Sequence, residues 1–77
     1  MMEFQSSVIG ELAGGKGYHQ RAKSYGKRAW EVRGEHVDVV YWDAGNGWAS
    51  VISVIPHNGR KAQAQQFWNA LMQYEDQ

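Results

Sequence analysis

Apolar and polar positions alternate most regularly in the middle of the chain. Ala29-Trp30-Glu31-Val32-Arg33 alternates, and His36 to Trp42 resumes the same period after Gly34-Glu35. Strict alternation marks a half-buried strand. A two-residue connection with Gly in first place predicts a type II′ hairpin. That turn would pair Arg33 with His36, Val32 with Val37, Glu31 with Asp38 and Trp30 with Val39. One face of the hairpin then carries Trp30, Val32, Val37, Val39 and Tyr41 and reads as the core face. The other carries Glu31, Arg33, His36, Asp38, Val40 and Trp42, a mixed face turned to solvent or to a partner. Asp43-Ala44-Gly45-Asn46-Gly47 reads as a loop. Trp48 to Ile55 reads as a third strand, ended by Pro56, which has no N–H to donate. Trp48 falls opposite Trp42 on the mixed face if all five residues form the loop, and on the core face if only four do.

The flanks change period. Phe4, Val8, Ile9 and Leu12 recur at helical spacing and predict a short helix from about Glu3 to Ala13, stopped at Gly14-Gly15. Gly10 and Ser6-Ser7 keep a strand across Phe4 to Ile9 as the competing reading. Residues 14–28 form a glycine-rich, basic loop or arm, in which Tyr18 to Ser24 could add an edge strand. At the other end Asn58 is a suitable N-cap. A helix from Gly59 or Arg60 to Tyr74 would bury Ala64, Phe67, Trp68, Leu71 and Met72. The expected fold class is α+β: a three-stranded antiparallel meander with a C-terminal helix and a short N-terminal helix, in the order α-β-β-β-α.

Composition bounds this picture. The 77 residues make one domain, spanning 1–77, with a thin core. The absence of cysteine excludes disulfides and thiolate metal sites. Packing must therefore lean on four Trp, four Tyr and two Phe, with Trp30, Phe67 and Trp68 expected inside. No apolar run approaches the roughly 20 residues that span a bilayer. Met1-Met2-Glu3-Phe4 has neither the basic nor the apolar region of a signal peptide, so a cytoplasmic location is expected.

Charge adds an asymmetry that the zero net value hides. Lys16, Arg21, Lys23, Lys27 and Arg28 lie between Leu12 and Trp30 with no acid among them, interleaved with Tyr18, His19 and Tyr25. Nucleic-acid binders use cations for phosphates and rings for stacking; a solvated loop is the plainer reading. Arg60 and Lys61 start the last helix, while Glu75 and Asp76 end it. Both ends oppose the helix dipole, by about 0.3–1 kcal/mol per charge. A cationic helix start attracts anions, although exposed terminal charges are also tolerated. Lys16, Arg21, Lys23, Lys27, Arg28, Arg60 and Lys61 are thus the candidate nucleic-acid or anion contacts.

Catalytic patterns are absent from the sequence. His19, His36 and His57 lack metal-pair spacing. His36 could share a strand face with Glu31 and Asp38, but alternating polar residues on an outer face are routine. Gly14-Gly15-Lys16-Gly17 lacks the spacing and the Ser/Thr of a phosphate loop. No enzyme activity, metal or cofactor is expected. Trp42, an aromatic set among charges, suits a protein-binding hot spot, unless it packs beneath the first helix or the 14–27 loop. Glu31, Arg33, Asp38 and Trp42 are the candidate partner-binding residues.

Two resemblances bear on function. The α-β-β-β-α order, with Asn58-Gly59-Arg60-Lys61-Ala62 opening the last helix and Phe67-Trp68-Asn69-Ala70-Leu71 following, resembles the double-stranded-RNA-binding domain. That resemblance implies a basic helix start touching phosphates across a groove. In size and composition alone, the chain is similar to small phage-encoded inhibitors of host defence such as anti-CRISPRs, which occupy a surface on a nucleic-acid-handling complex. The leading expectation is a non-enzymatic inhibitor or adaptor that docks on a protein or ribonucleoprotein complex. Direct nucleic-acid binding through the basic residues is the alternative. A homodimer joined through the mixed sheet face is the third.

Overall fold

The structure is a computed structural model that describes residues 3–14 and 18–75. Strand β1 (Glu3–Gln5) runs into helix α1 (Ser6–Ala13). Strands β2 (His19–Arg21), β3 (Ala29–Arg33), β4 (Val37–Gly45) and β5 (Trp48–Pro56) follow, and helix α2 (Lys61–Glu75) closes the chain. Lys23–Tyr25 and His57–Gly59 are single 3₁₀ turns. The sheet is antiparallel throughout, in the order β1-β5-β4-β3-β2.

The class is α+β as expected, but the three-stranded meander is the centre of a five-stranded sheet. The α-β-β-β-α order that carried the likeness to the double-stranded-RNA-binding domain is therefore not the order observed. Both readings of the N-terminus hold in part. Glu3–Gln5 pairs with Trp48–Ser50, and the helix begins only at Ser6. The 14–28 arm contributes an edge strand, with His19, Gln20 and Arg21 opposite Val32, Glu31 and Trp30. Lys16 lies outside the described residues. Strands β1 and β2 are each only three residues long and exist because a longer strand offers them hydrogen bonds.

The first hairpin is displaced by two residues. Arg33 faces Asp38, Val32 faces Val39, Glu31 faces Val40 and Trp30 faces Tyr41. The turn lies at Glu35-His36, closed by Gly34 N–H donating to the Val37 carbonyl at 2.9 Å. The type II′ turn is not formed, because Gly34 does not have positive φ. Its lack of a side chain serves another purpose. A Cβ at Gly34 would lie 2.2 Å from the Ala13 carbonyl oxygen, and Glu35 N–H donates to that oxygen at 2.9 Å. Gly34 is thus the place where the end of α1 seats on the hairpin. An even shift preserves side-chain parity, so the two faces are those read from the alternation.

The expected 43–47 loop is a two-residue turn. Asn46 and Gly47 have φ of 56° and 84°, the positive values a type I′ hairpin needs, and both strands extend to meet it. Bulges between Val40 and Tyr41 and between Asp43 and Gly45 leave Ile52 and Ala44 as the extra residues. Trp48 alternates with buried Ala49 and so belongs to the mixed face.

Both helices pack on one side of the sheet. There Phe4, Ile9, Ala13, Val32, Val37, Val39, Tyr41, Ala49, Phe67 and Leu71 form the core. Phe67 is buried as expected, while Trp30 and Trp68 are half-buried and Met72 is exposed. Asn58 does not cap α2: it sits inside the 3₁₀ turn with φ 57°, and the helix starts at Lys61. No described helix is long and apolar enough to cross a membrane.

Candidate functional site

Two layers leave one sheet face without a covering helix, and this mixed face is the first candidate surface. Glu31, Arg33, Asp38 and Trp42 all belong to it by strand parity, as the alternation predicted. Trp42 does not pack beneath α1; it is 45% exposed. Ile52 at the β5 bulge and Ile55 opposite Asp38 are each 42% exposed, and Trp48 at the β1 end is 44% exposed. Small or β-branched residues fill the centre: Val40 packs with Ala22 and Ala29, and Ser50 is buried. Monomers rarely leave several large apolar side chains on one face, and such patches mark interaction sites.

The charged members of this face are partly engaged. Glu31 accepts from the Gln20 side chain at 2.8 Å and lies 3.8 Å from Arg33. Asp38 contacts His57 Nε2 at 2.9 Å. His36 stands apart from both, 3.9 Å from Glu35. Among the described residues, no three His, Asp or Glu side chains gather in a group that could hold a metal.

The candidate basic residues fall into two sets. Arg28 lies at the Asp43 end of the sheet, where its carbonyl accepts from Asp43 N–H at 3.0 Å, and Lys27 and Arg21 line the same depression. Lys23 is exposed on the neighbouring 3₁₀ turn. Arg60 and Lys61 sit at the other end of β4, where Pro56 pairs with Val37 and Arg60 lines a depression with His36 and His57. Asp43 is six residue steps along β4 from Val37, about 20 Å at roughly 3.4 Å per residue. The basic arm and the basic helix start therefore do not form one footprint.

Sequence reading missed a second feature. Helix α1 packs on β1, β3 and β4 and α2 on β4 and β5, and a cleft of about 430 Å³ opens beside them toward β2. Its walls are Ser6 and Ser7 of α1 and Gly47, and His19, Trp30, Tyr41 and Asp43 line it from the sheet. His19 Nδ1 and the Tyr41 hydroxyl are 2.6 Å apart, with the rings edge to face at 74°. Burial holds the His19 imidazole below its ordinary pKa. Burial also raises the Tyr41 phenol, with the Asp43 carboxylate adding to the effect. Both shifts keep the pair neutral. Among the described residues Tyr41 has no other side-chain partner, and the two groups share one hydrogen bond whose donor is set by the imidazole tautomer.

A shallower depression continues from this cleft across Trp30 and Asp43 to Arg21, Lys27 and Arg28. The Arg21 guanidinium lies 5.3 Å from the centre of the Trp30 ring and donates to the Lys27 carbonyl. Asp43 Oδ1 accepts from Gly45 N–H at 2.9 Å, which ties the carboxylate to the bulge. The only sequence signal for this site was the alternation that put Trp30 and Tyr41 on one face; His19 joins them through β2. No family model, curated protein or solved structure matches this chain.

Proposed function

We propose that the protein is a non-enzymatic binding module, an inhibitor or adaptor that docks its open sheet face on a protein partner. The observation that carries this reading is the exposure of Trp42, Ile52 and Ile55 on a face that neither helix covers. Aromatic anchors set in a polar surround are the usual source of interface energy. The charges select among occupants. Among the described strand residues of the face, the acids Glu3, Glu31 and Asp38 outnumber the cation Arg33. A second copy of the chain would bring like charges together. The fitting partner presents an apolar patch rimmed with Lys and Arg, the surface chemistry of proteins that handle nucleic acids. This reading agrees with docking on a protein or ribonucleoprotein complex and requires no cofactor.

The test is affinity capture with the tagged chain, using Trp42→Ala and Ile55→Lys as matched controls. Both variants should keep the wild-type circular dichroism spectrum, because the two side chains lie outside the core. The expected result is a defined basic protein whose binding to the purified chain weakens at least tenfold in each variant. Capture of nothing, or capture that both variants match, would overturn the reading. A micromolar dimer that both variants dissociate would assign the face to a second copy instead.

A further inference from the structure

We propose that the cleft on the helix side of the sheet binds a nucleotide, with the base held among His19, Trp30, Tyr41 and Asp43 and the phosphate at Arg21, Lys27 and Arg28. This site is separate from the open face and does not depend on it. A volume of about 430 Å³ lies in the usual range for small-molecule pockets. The cleft and the depression beside it share Trp30 and Asp43, so one ligand can run from the first into the second.

The lining separates by chemistry along that path. Aromatic rings gather at the α1 end, and sequence-tolerant recognition of bases rests on such rings. The three cations gather at the far end. Arg21 is already fixed there by the Trp30 ring and the Lys27 carbonyl, so little side-chain freedom remains to be lost on binding. Asp43 lies between the two ends. Among the described residues no cation pairs with it, and its carboxylate can accept from a base amino group or a sugar hydroxyl. The His19 imidazole and the hydroxyl-bearing Ser6 and Ser7 add hydrogen-bonding groups on the facing walls. A simple anion would use the cations and leave the rings idle. A peptide cation would meet three like charges.

The test is ¹⁵N-detected titration of the full chain with adenosine monophosphate, adenosine, inorganic phosphate and a 5′-phosphorylated single-stranded decanucleotide. Adenosine monophosphate should shift the Trp30 indole N–H and the backbone amides of Ser6, His19 and Gly47. Adenosine and phosphate should each bind at least tenfold more weakly. The decanucleotide should be displaced by adenosine monophosphate if the site accepts the end of a strand; binding that is not displaced would overturn the site assignment. Arg28→Gln, an exposed substitution with no fold to disturb, should weaken binding about tenfold. Trp42→Ala, on the opposite face, should leave it unchanged. The proposal is overturned if no cleft resonance moves at millimolar nucleotide, if phosphate alone matches the nucleotide, or if Arg28→Gln has no effect.

Discussion

At the scale of single residues, Gly34 and His19 show how local chemistry is set by partners distant in sequence. Gly34 invites reading as a turn glycine. In the fold it lets the Ala13 carbonyl approach, which places the end of α1 on the β3–β4 hairpin. Gly34→Ala should therefore lower stability by about 1–3 kcal/mol, the usual cost of overpacking, read as a fall in the urea midpoint at constant m-value. A Gly26→Ala control meets nothing within 4 Å and carries only the strain of its positive φ. His19 was legible only as an isolated histidine, because its partner Tyr41 is 22 residues away. Its pKa is lowered by burial from the ordinary 6.5. The unfolded chain thus binds the proton more readily than the folded one, and stability rises with pH across that interval. The His19 contribution is complete above pH 6.5 and is lost as pH falls through 6.5 toward the lowered value. The effect is small because the side chain is partly solvated. An NMR titration should give a His19 midpoint below 6.5, and His19→Gln should flatten the stability profile between that midpoint and 6.5.

At the scale of elements, parity was legible and register was not. Alternation along β3 and β4 assigns every side chain to a face, and a slip of two residues leaves that assignment intact. Trp42 and Asp38 were therefore placed on the correct face from a wrong pairing. The Asn46-Gly47 pair is a strong hairpin signal, yet the neighbouring Asp43, Ala44 and Gly45 made the whole stretch resemble a loop. Strands β1 and β2 were legible only as alternatives with wider bounds, because three residues carry little period and their hydrogen bonds come from β5 and β3. Helix α2 was legible from its apolar stripe; Lys61 opens it and Glu75 closes it, with no acid in the first turn and no base in the last, while Arg60 precedes it and Asp76 lies outside the described residues. Lys61→Glu should relieve one end. The expected gain is about 0.3–1 kcal/mol at low salt, shrinking as salt is added, and thermal denaturation at two ionic strengths would measure it.

At the scale of the whole molecule, the separation of the two basic sets decides how the chain can meet a polyanion. Read along the sequence, Lys16 to Arg28 and Arg60-Lys61 suggest one continuous footprint. In the fold, β4 holds them at its two ends. Helix α1 and the mixed face with its three acids lie between. A single strand bound in the cleft meets Arg21, Lys27 and Arg28 and does not reach Arg60 without crossing that span. Each neutralised phosphate contributes about 0.7 to the log–log salt slope for single-stranded nucleic acid. Three contacts thus give a slope of about −2, and five give about −3.5. The expected outcome for the decanucleotide is the shallower slope, unchanged in an Arg60→Ala/Lys61→Ala double variant and reduced by about one contact in Arg28→Gln. A slope near −3.5 that falls in the double variant would mean that the strand wraps both ends, and the separation drawn from the fold would then not govern binding.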